Sequence, residues 1–131
     1  GHGYTYSGHP VGCAAGIAAL AETRRLKLNE NAAARGEELI AALQALQAKH
    51  PIVGDVRGRG LMAALELVED RATKKALDKT RLAVIADTAY EAGVMIRVSG
   101  NNIILSPPLI LTAADVAKIA QALDAGLSAA G

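Results

Sequence analysis

Apolar residues recur along the chain at spacings that predict helices alternating with short strands. Residues 1–9 are too rich in glycine and polar side chains to hold a regular element. A helix is expected to begin at Pro10, because proline loses nothing in a first helical turn by lacking an N–H group. This helix is expected to end at about Arg25. From Val11 to Leu20 its residues are apolar on nearly every side, which is typical of a helix buried on most of its surface.

Three more helices are predicted along the chain. The second is expected between the polar stretch 29–31 and about Lys49, with leucines at helical spacing. Residues 82–89 predict a third helix of about a dozen residues, because their apolar positions repeat every three or four and a glycine follows. Thr112 with Asp115 resembles a capping box, with Asp in place of Glu or Gln, at the start of the last helix.

Strands are predicted between these helices. Residues 53–57 and 61–68 indicate two strands, separated by a glycine-containing turn at 58–60. Residues 94–98 alternate, and the turn at 99–102 leads into a strand at 103–105, which predicts a β-hairpin. One face of the strand at 94–98 holds Val94, Ile96 and Val98, and the other holds Met95 and Arg97.

The element order predicts an α+β fold, in which helices cover one face of a small, mainly antiparallel sheet. Of the 131 residues, 51% are hydrophobic, which is enough for a continuous core and excludes a disordered chain. There are three Tyr and no Phe or Trp, so the chain lacks a platform on which nucleic-acid bases could stack.

The charge balance and the cysteine content exclude several kinds of binding partner and site. With 14 basic and 13 acidic residues, the chain has no overall field for nucleic acid or a membrane surface, and neither partner is expected. The single cysteine, Cys13, excludes a disulfide framework. No Cys/His spacing predicts a metal site, and a cytoplasmic location is expected because a lone thiol suits a reducing compartment.

The segment Gly3–Pro10 is the first candidate for chemistry. It brings hydroxyls, glycines and backbone N–H groups to the start of a helix, where the helix dipole favours a phosphate or carboxylate. The alternative is an ordinary capped helix start, with Ser7 as the cap and His9 as a surface residue. On spacing alone, the ordinary start is the favoured interpretation.

Arginines supply the remaining candidates. Arg97 could bind a carboxylate through two parallel hydrogen bonds, or it could be a solvated strand residue. The stretch Arg57–Gly60 could contact a phosphate or RNA, although a strand connection with exposed arginines is favoured. No nucleophile, acid and base can be assembled from the histidines and carboxylates, so no catalytic residue is predicted.

Three segments together carry a family resemblance, namely residues 2–11, 56–62 and 97–109. They resemble the C-terminal third of class III aminotransferases, pyridoxal-phosphate enzymes of the ω-amino acid or amine:pyruvate type with fold type I. The resemblance covers the whole chain in order, and three motifs in register are far more specific than any one of them. It implies the C-terminal small domain of such an enzyme together with the preceding interface helix.

The resemblance also implies roles for parts of the chain. Residues 1–9 match a loop at the cofactor phosphate and the dimer interface, residues 10–50 the helices that lead into the small domain, and residues 51–131 the small domain itself. Thr5 matches the threonine that hydrogen-bonds the cofactor phosphate in the other subunit, with the backbone of Tyr4 nearby. Arg97 is similar to the mobile arginine that holds the substrate carboxylate and swings away for an uncharged amine.

The implied activity is transfer of an amino group from an amine or ω-amino acid to a keto acid such as pyruvate, in a homodimer or a dimer of dimers. None of the six lysines has the context of the family's catalytic lysine, so the chain alone is expected to be inactive. Since it opens at Gly1 inside a glycine-rich stretch, we expect a fragment or a processed piece. The alternative is a non-catalytic α+β module that binds a ligand or mediates oligomerisation through the apolar first helix.

Overall fold

The computed structural model describes all 131 residues, and it contains four helices and five strands. In chain order they are α1 (Pro10–Arg25), α2 (Leu28–Lys49), β1 (Val53–Arg59), β2 (Met62–Asp70), β3 (Lys75–Ala76), α3 (Lys79–Glu91), β4 (Arg97–Ser99), β5 (Asn102–Leu105) and α4 (Ala113–Ala129). The predicted α+β class and the order of the predicted elements are confirmed. The two-residue strand β3 lies in a polar stretch that predicted no element.

All strand pairs are antiparallel, and the main sheet has the order β1-β2-β5-β4, with β3 paired to β2. Residues of α2, α3 and α4 form one core with the inward side chains of the sheet. Leu39 and Leu43 of α2 meet Leu65 of β2 and Leu123 of α4 there, and all four are fully buried. The helices therefore leave the opposite face of the sheet uncovered.

Two local features fix how the helices join the sheet. The capping box at α4 is confirmed, because the Thr112 hydroxyl accepts from the Asp115 N–H and the Asp115 carboxylate accepts from the Thr112 N–H. At the turn between β1 and β2, Gly60 has φ +56° and its backbone lies against Gly36 of α2. A Cβ at Gly36 would lie 2.4 Å from the Gly60 carbonyl, so only glycine fits this close approach.

Several predicted boundaries differ from the structure. The helix α2 begins at Leu28, so it includes the polar stretch expected to precede it, and Asn31 uses its amide to bind the carbonyls of Leu109 and Leu111. The turn between β1 and β2 lies at 60–61 rather than 58–60. The predicted strand at 94–98 forms only as β4 from Arg97 to Ser99, and residues 94 and 95 would face Pro107 and Ser106, beyond the end of β5.

The helix α1 does not follow its prediction. No residue of α1 is buried, and the side chains of Val11 and Ile17 are 72% and 70% exposed. This chain itself does not supply the expected burial, because α1 packs only against the adjoining α2 and against no strand. None of the four helices combines the length and hydrophobicity that crossing a bilayer requires.

Candidate functional site

The uncovered face of the sheet, which we call the open face, carries the polar side chains of all four main strands. It consists of Asp55, Arg57, Met62, Ala64, Glu66, Arg97, Ser99, Asn102 and Ile104, which alternate along their strands with the positions on the helix-covered face. The register aligns Arg57, Ala64, Ile104 and Arg97 in one row across the sheet. The two arginines therefore lie on the same face, one near each edge.

Arg97 is the arginine of this row that has no partner. Its side chain is exposed and makes no hydrogen bond or ion pair. It borders a groove of about 590 Å³ formed by residues 94–97, residues 104–108 and Ile119, most of which are apolar. A guanidinium that is free of carboxylates and stands beside apolar surface can receive a carboxylate through two parallel hydrogen bonds.

Arg57, at the other end of the row, has three hydrogen-bond partners. Its Nη1 lies 2.8 Å from Asp55 Oδ2 and 3.2 Å from Glu66 Oε2, and its Nη2 donates to Asn102 Oδ1 at 2.7 Å. The hydrogen bond that Arg57 donates to the Asp55 carboxylate raises the pKa of the Arg57 guanidinium. Sequence analysis missed this cluster, although Asp55 two residues before Arg57 on the same strand face was a usable signal.

Residues 1–9 form the second candidate region, and their structure corrects one expectation. Ser7 does not cap α1: the N-cap is His9, with no side-chain cap, and the Ser7 hydroxyl accepts from the Tyr4 N–H at 3.3 Å. The Ser7 N–H in turn donates to the Tyr4 carbonyl at 3.0 Å, which closes a turn before the helix. The start of α1 is thus left without a hydroxyl partner.

This open helix start fits part of a phosphate site. The N–H groups of Val11 and Gly12 have no acceptor in the chain, and the exposed Thr5 side chain lies in the loop that precedes the helix. Free N–H groups at the positive end of a helix dipole attract phosphate. Residues 1–10 contain no Lys or Arg, so a phosphate held here would need its cationic partner from elsewhere.

The structure does not bring the two regions together. Tyr4 and Thr5 are exposed, and no hydrogen bond or ion pair links residues 1–9 to Arg97 or to any strand. All six lysines of the chain are exposed as well. Within this chain, Arg97 and Thr5 are therefore separate, incomplete sites rather than two sides of one pocket.

Comparison with known proteins shows which protein family the chain resembles in sequence and structure. The profile described as "Aminotransferase class-III" matches residues 1–127. Among curated proteins, the chain is 39% identical over 127 residues to a taurine–pyruvate aminotransferase of Bilophila wadsworthia, covering 92% of this chain. It is 44% identical over 124 residues to a diaminobutyrate–2-oxoglutarate transaminase of Halomonas elongata, covering 91% of this chain.

Solved structures agree with the sequence comparison. An amine transaminase from an uncultivated Pseudomonas species, in the PLP-bound form, matches 99% of this chain with a TM-score of 0.90 and 47% identity. An (S)-enantioselective omega-transaminase from Thermomicrobium roseum matches 98% with a TM-score of 0.86 and 35% identity. The chain spans 28% and 26% of the length of the two curated relatives and about 30% of the two solved chains.

Proposed function

The chain belongs to the class III aminotransferases, and we propose that it serves as the C-terminal part of a longer transaminase that depends on pyridoxal 5′-phosphate. The proposed reaction moves an amino group from an amine or ω-amino acid to a keto acid such as pyruvate. The names of the relatives support this reaction class, since they include a taurine–pyruvate aminotransferase and an amine transaminase.

The observation that carries the proposal is the free guanidinium of Arg97 beside an apolar groove. Both partners of the proposed reaction type can carry a carboxylate, and Arg97 would bind it as a bidentate pair. The apolar walls of the groove, including Ile104 and Ile119, lower the local dielectric and strengthen such a pair. Because no acidic side chain holds Arg97, it is free to turn away when an amine without a carboxylate binds.

The residues of this chain fit an auxiliary contact to the cofactor. When bound, pyridoxal 5′-phosphate supplies the electron sink that an amino transfer needs. Thr5 would donate its hydroxyl to the phosphate, and the free N–H groups at the start of α1, with the backbone of Tyr4, would lie close by. Since no hydrogen bond or ion pair joins Thr5 to Arg97 within one chain, we propose that Thr5 serves the site of a second subunit.

A catalytic lysine is expected outside this chain. A lysine that bonds covalently to the cofactor must reach its uncharged form at neutral pH, which burial promotes by lowering its pKa. The lysines of this chain are all exposed to water, which supports the proposal that the chain alone does not catalyse transamination. The longer protein is proposed to work as a homodimer or a dimer of dimers in the cytoplasm.

The test is the replacement Arg97→Ala in the longer protein. We expect kcat/KM for donors with a carboxylate to fall about 10- to 100-fold, the loss that a charge-assisted hydrogen bond of about 1.5–3 kcal/mol produces. The rate with a simple amine such as 2-aminobutane should change little. Arg59→Ala is the matched control, because Arg59 is exposed on β1 and has no ion-pair partner. Equal losses for both kinds of donor would contradict the assignment.

A further inference from the structure

Arg97 stands on the least supported strand of the main sheet. The strand β4 has three residues, all exposed, and its one strand partner is β5. The strand β5 pairs in turn with residues 63–66 of β2. The direction in which the Arg97 guanidinium points therefore depends on how firmly the β4–β5 hairpin is held to the rest of the sheet.

Two asparagines at the hairpin tip hold it in place. Asn101 donates from Nδ2 to the Leu67 carbonyl at 3.0 Å, and its own carbonyl accepts from the Leu67 N–H at 2.8 Å. Asn102 accepts at Oδ1 from Arg57 Nη2 at 2.7 Å. This second contact runs from β1 to β5 and crosses β2, so it ties three strands together at the level of the tip.

The guanidinium of Arg57 is not available to a substrate. Asp55 and Glu66 both lie on its Nη1, so two carboxylates already more than neutralise its charge. It is also distant from Arg97, since three strand spacings of about 4.8 Å separate the two strands by about 14 Å. What Arg57 reaches instead is the Asn102 amide, on the strand adjacent to Arg97.

We propose that Arg57 is a positioning residue for Arg97: by holding Asn102 it fixes the tip of the β4–β5 hairpin, so that Arg97 is aligned to receive a carboxylate. The inference rests on the proposed function of Arg97 and extends it to a different strand. Asp55 and Glu66 have the supporting role of holding the Arg57 guanidinium within hydrogen-bond distance of Asn102. Alignment lowers the entropy lost when the carboxylate binds, so its removal weakens binding without a change in the groove itself.

The experiment measures single half-reactions in the longer protein loaded with its cofactor. L-alanine is the donor with a carboxylate and 2-aminobutane the donor without one, and the absorbance of the cofactor reports both. For Asn102→Ala and for Arg57→Gln, we expect the apparent dissociation constant of L-alanine to rise about tenfold, the effect of one lost hydrogen bond of ordinary strength. The constant for 2-aminobutane should stay within about twofold.

Asn102→Ala separates positioning from charge. It leaves Arg57, Asp55 and Glu66 in place, so the net charge of the open face does not change. If only Arg57→Gln weakens L-alanine binding, the effect comes from the two carboxylates left without a partner, and the proposal is wrong. Arg59→Gln is the matched control on the same strand, because it removes an arginine that holds no side chain.

A double-mutant cycle tests whether Arg57 affects L-alanine binding through Arg97. In the Arg97→Ala background, Arg57→Gln should cause no further loss of L-alanine binding if it acts through Arg97. An additive loss, or an equal loss for both donors, overturns the positioning role. If Arg97→Ala itself fails to separate the donors, the proposed function of Arg97 is wrong, and that outcome is distinct from a failure of Arg57 alone.

Discussion

At the scale of single residues, Thr5 offers a direct test of the proposed phosphate contact. Thr5→Ala in the longer protein should weaken retention of the cofactor by about 1–3 kcal/mol, because a buried phosphate contact would lose its hydroxyl donor. The measurement is the cofactor absorbance that remains after dialysis. Thr5→Ser keeps the hydroxyl and should retain the cofactor, and equal retention by both variants would exclude the contact.

Arg97 and Arg57 show how far the role of a single residue could be predicted from the sequence. Sequence pattern and family resemblance selected Arg97, whose exposure and lack of partners agree with its proposed role, although that role stays a prediction. They left Arg57 as an exposed connection residue, and this missed its three partners. The contact to Asn102 joins residues 45 positions apart, and such a contact depends on strand register, which no local pattern specifies.

At the scale of elements, the close contact between α2 and the β1–β2 turn should be the least tolerant point. Gly36→Ala places a Cβ 2.4 Å from the Gly60 backbone, so helix and turn must separate, at a cost of about 1–3 kcal/mol in the free energy of unfolding. Gly16→Ala in α1 is the control, because a Cβ at this position would contact no other atom. Alanine is favoured over glycine inside a helix by about 1 kcal/mol, so this variant should not be destabilised. Urea unfolding of both variants measures the difference.

The capping box of α4 predicts a dependence on pH. Its hydrogen bonds from Thr112 lower the pKa of Asp115 below the ordinary value of 3.8. A lowered pKa in the folded state means that the stabilisation is complete above the unfolded pKa and is lost as the pH falls through the folded pKa. The difference in unfolding free energy between wild type and Asp115→Ala should therefore be constant above about pH 5 and shrink as the pH falls below the ordinary value of 3.8. A difference that stays constant below this value as well would contradict it.

Element type was easier to predict than element extent. The apolar period of residues 82–89 and the Thr112–Asp115 pair are local signals, and both elements formed as predicted. The extent of β4 depended instead on its register with β5, which places residues 94 and 95 opposite Pro107 and Ser106, beyond the end of β5. The start of α2 depended on Asn31 finding carbonyls in the segment before α4, which its polarity alone could not indicate.

At the scale of the whole molecule, the exposed apolar surface around α1 should govern association. Val11, Ile17 and Leu20 are 72%, 70% and 60% exposed, which is a large apolar surface for one helix. We expect the 131-residue chain to self-associate, and Ile17→Lys to weaken association at least about tenfold, since burying one such side chain contributes about 1.5–3 kcal/mol. Analytical ultracentrifugation over a range of protein concentrations measures the dissociation constant of this association.

Val84→Lys is the control for that experiment, because Val84 is a partly exposed apolar residue of α3, away from α1. It should leave association unchanged. A wild-type chain that stays a stable monomer would contradict the interface role of α1. It would instead favour a self-contained ligand-binding module.

The absence of buried residues in α1 also bears on when this helix forms. Sixteen residues are close to the length at which a helix without tertiary contacts is only marginally stable in water. Amide hydrogens of α1 should therefore exchange with solvent far faster than those of β2, which lies at the centre of the sheet. Ordering α1 would then reduce the net free energy that subunit pairing releases. Pairing would accordingly show the negative heat-capacity change and the temperature sensitivity of folding coupled to binding.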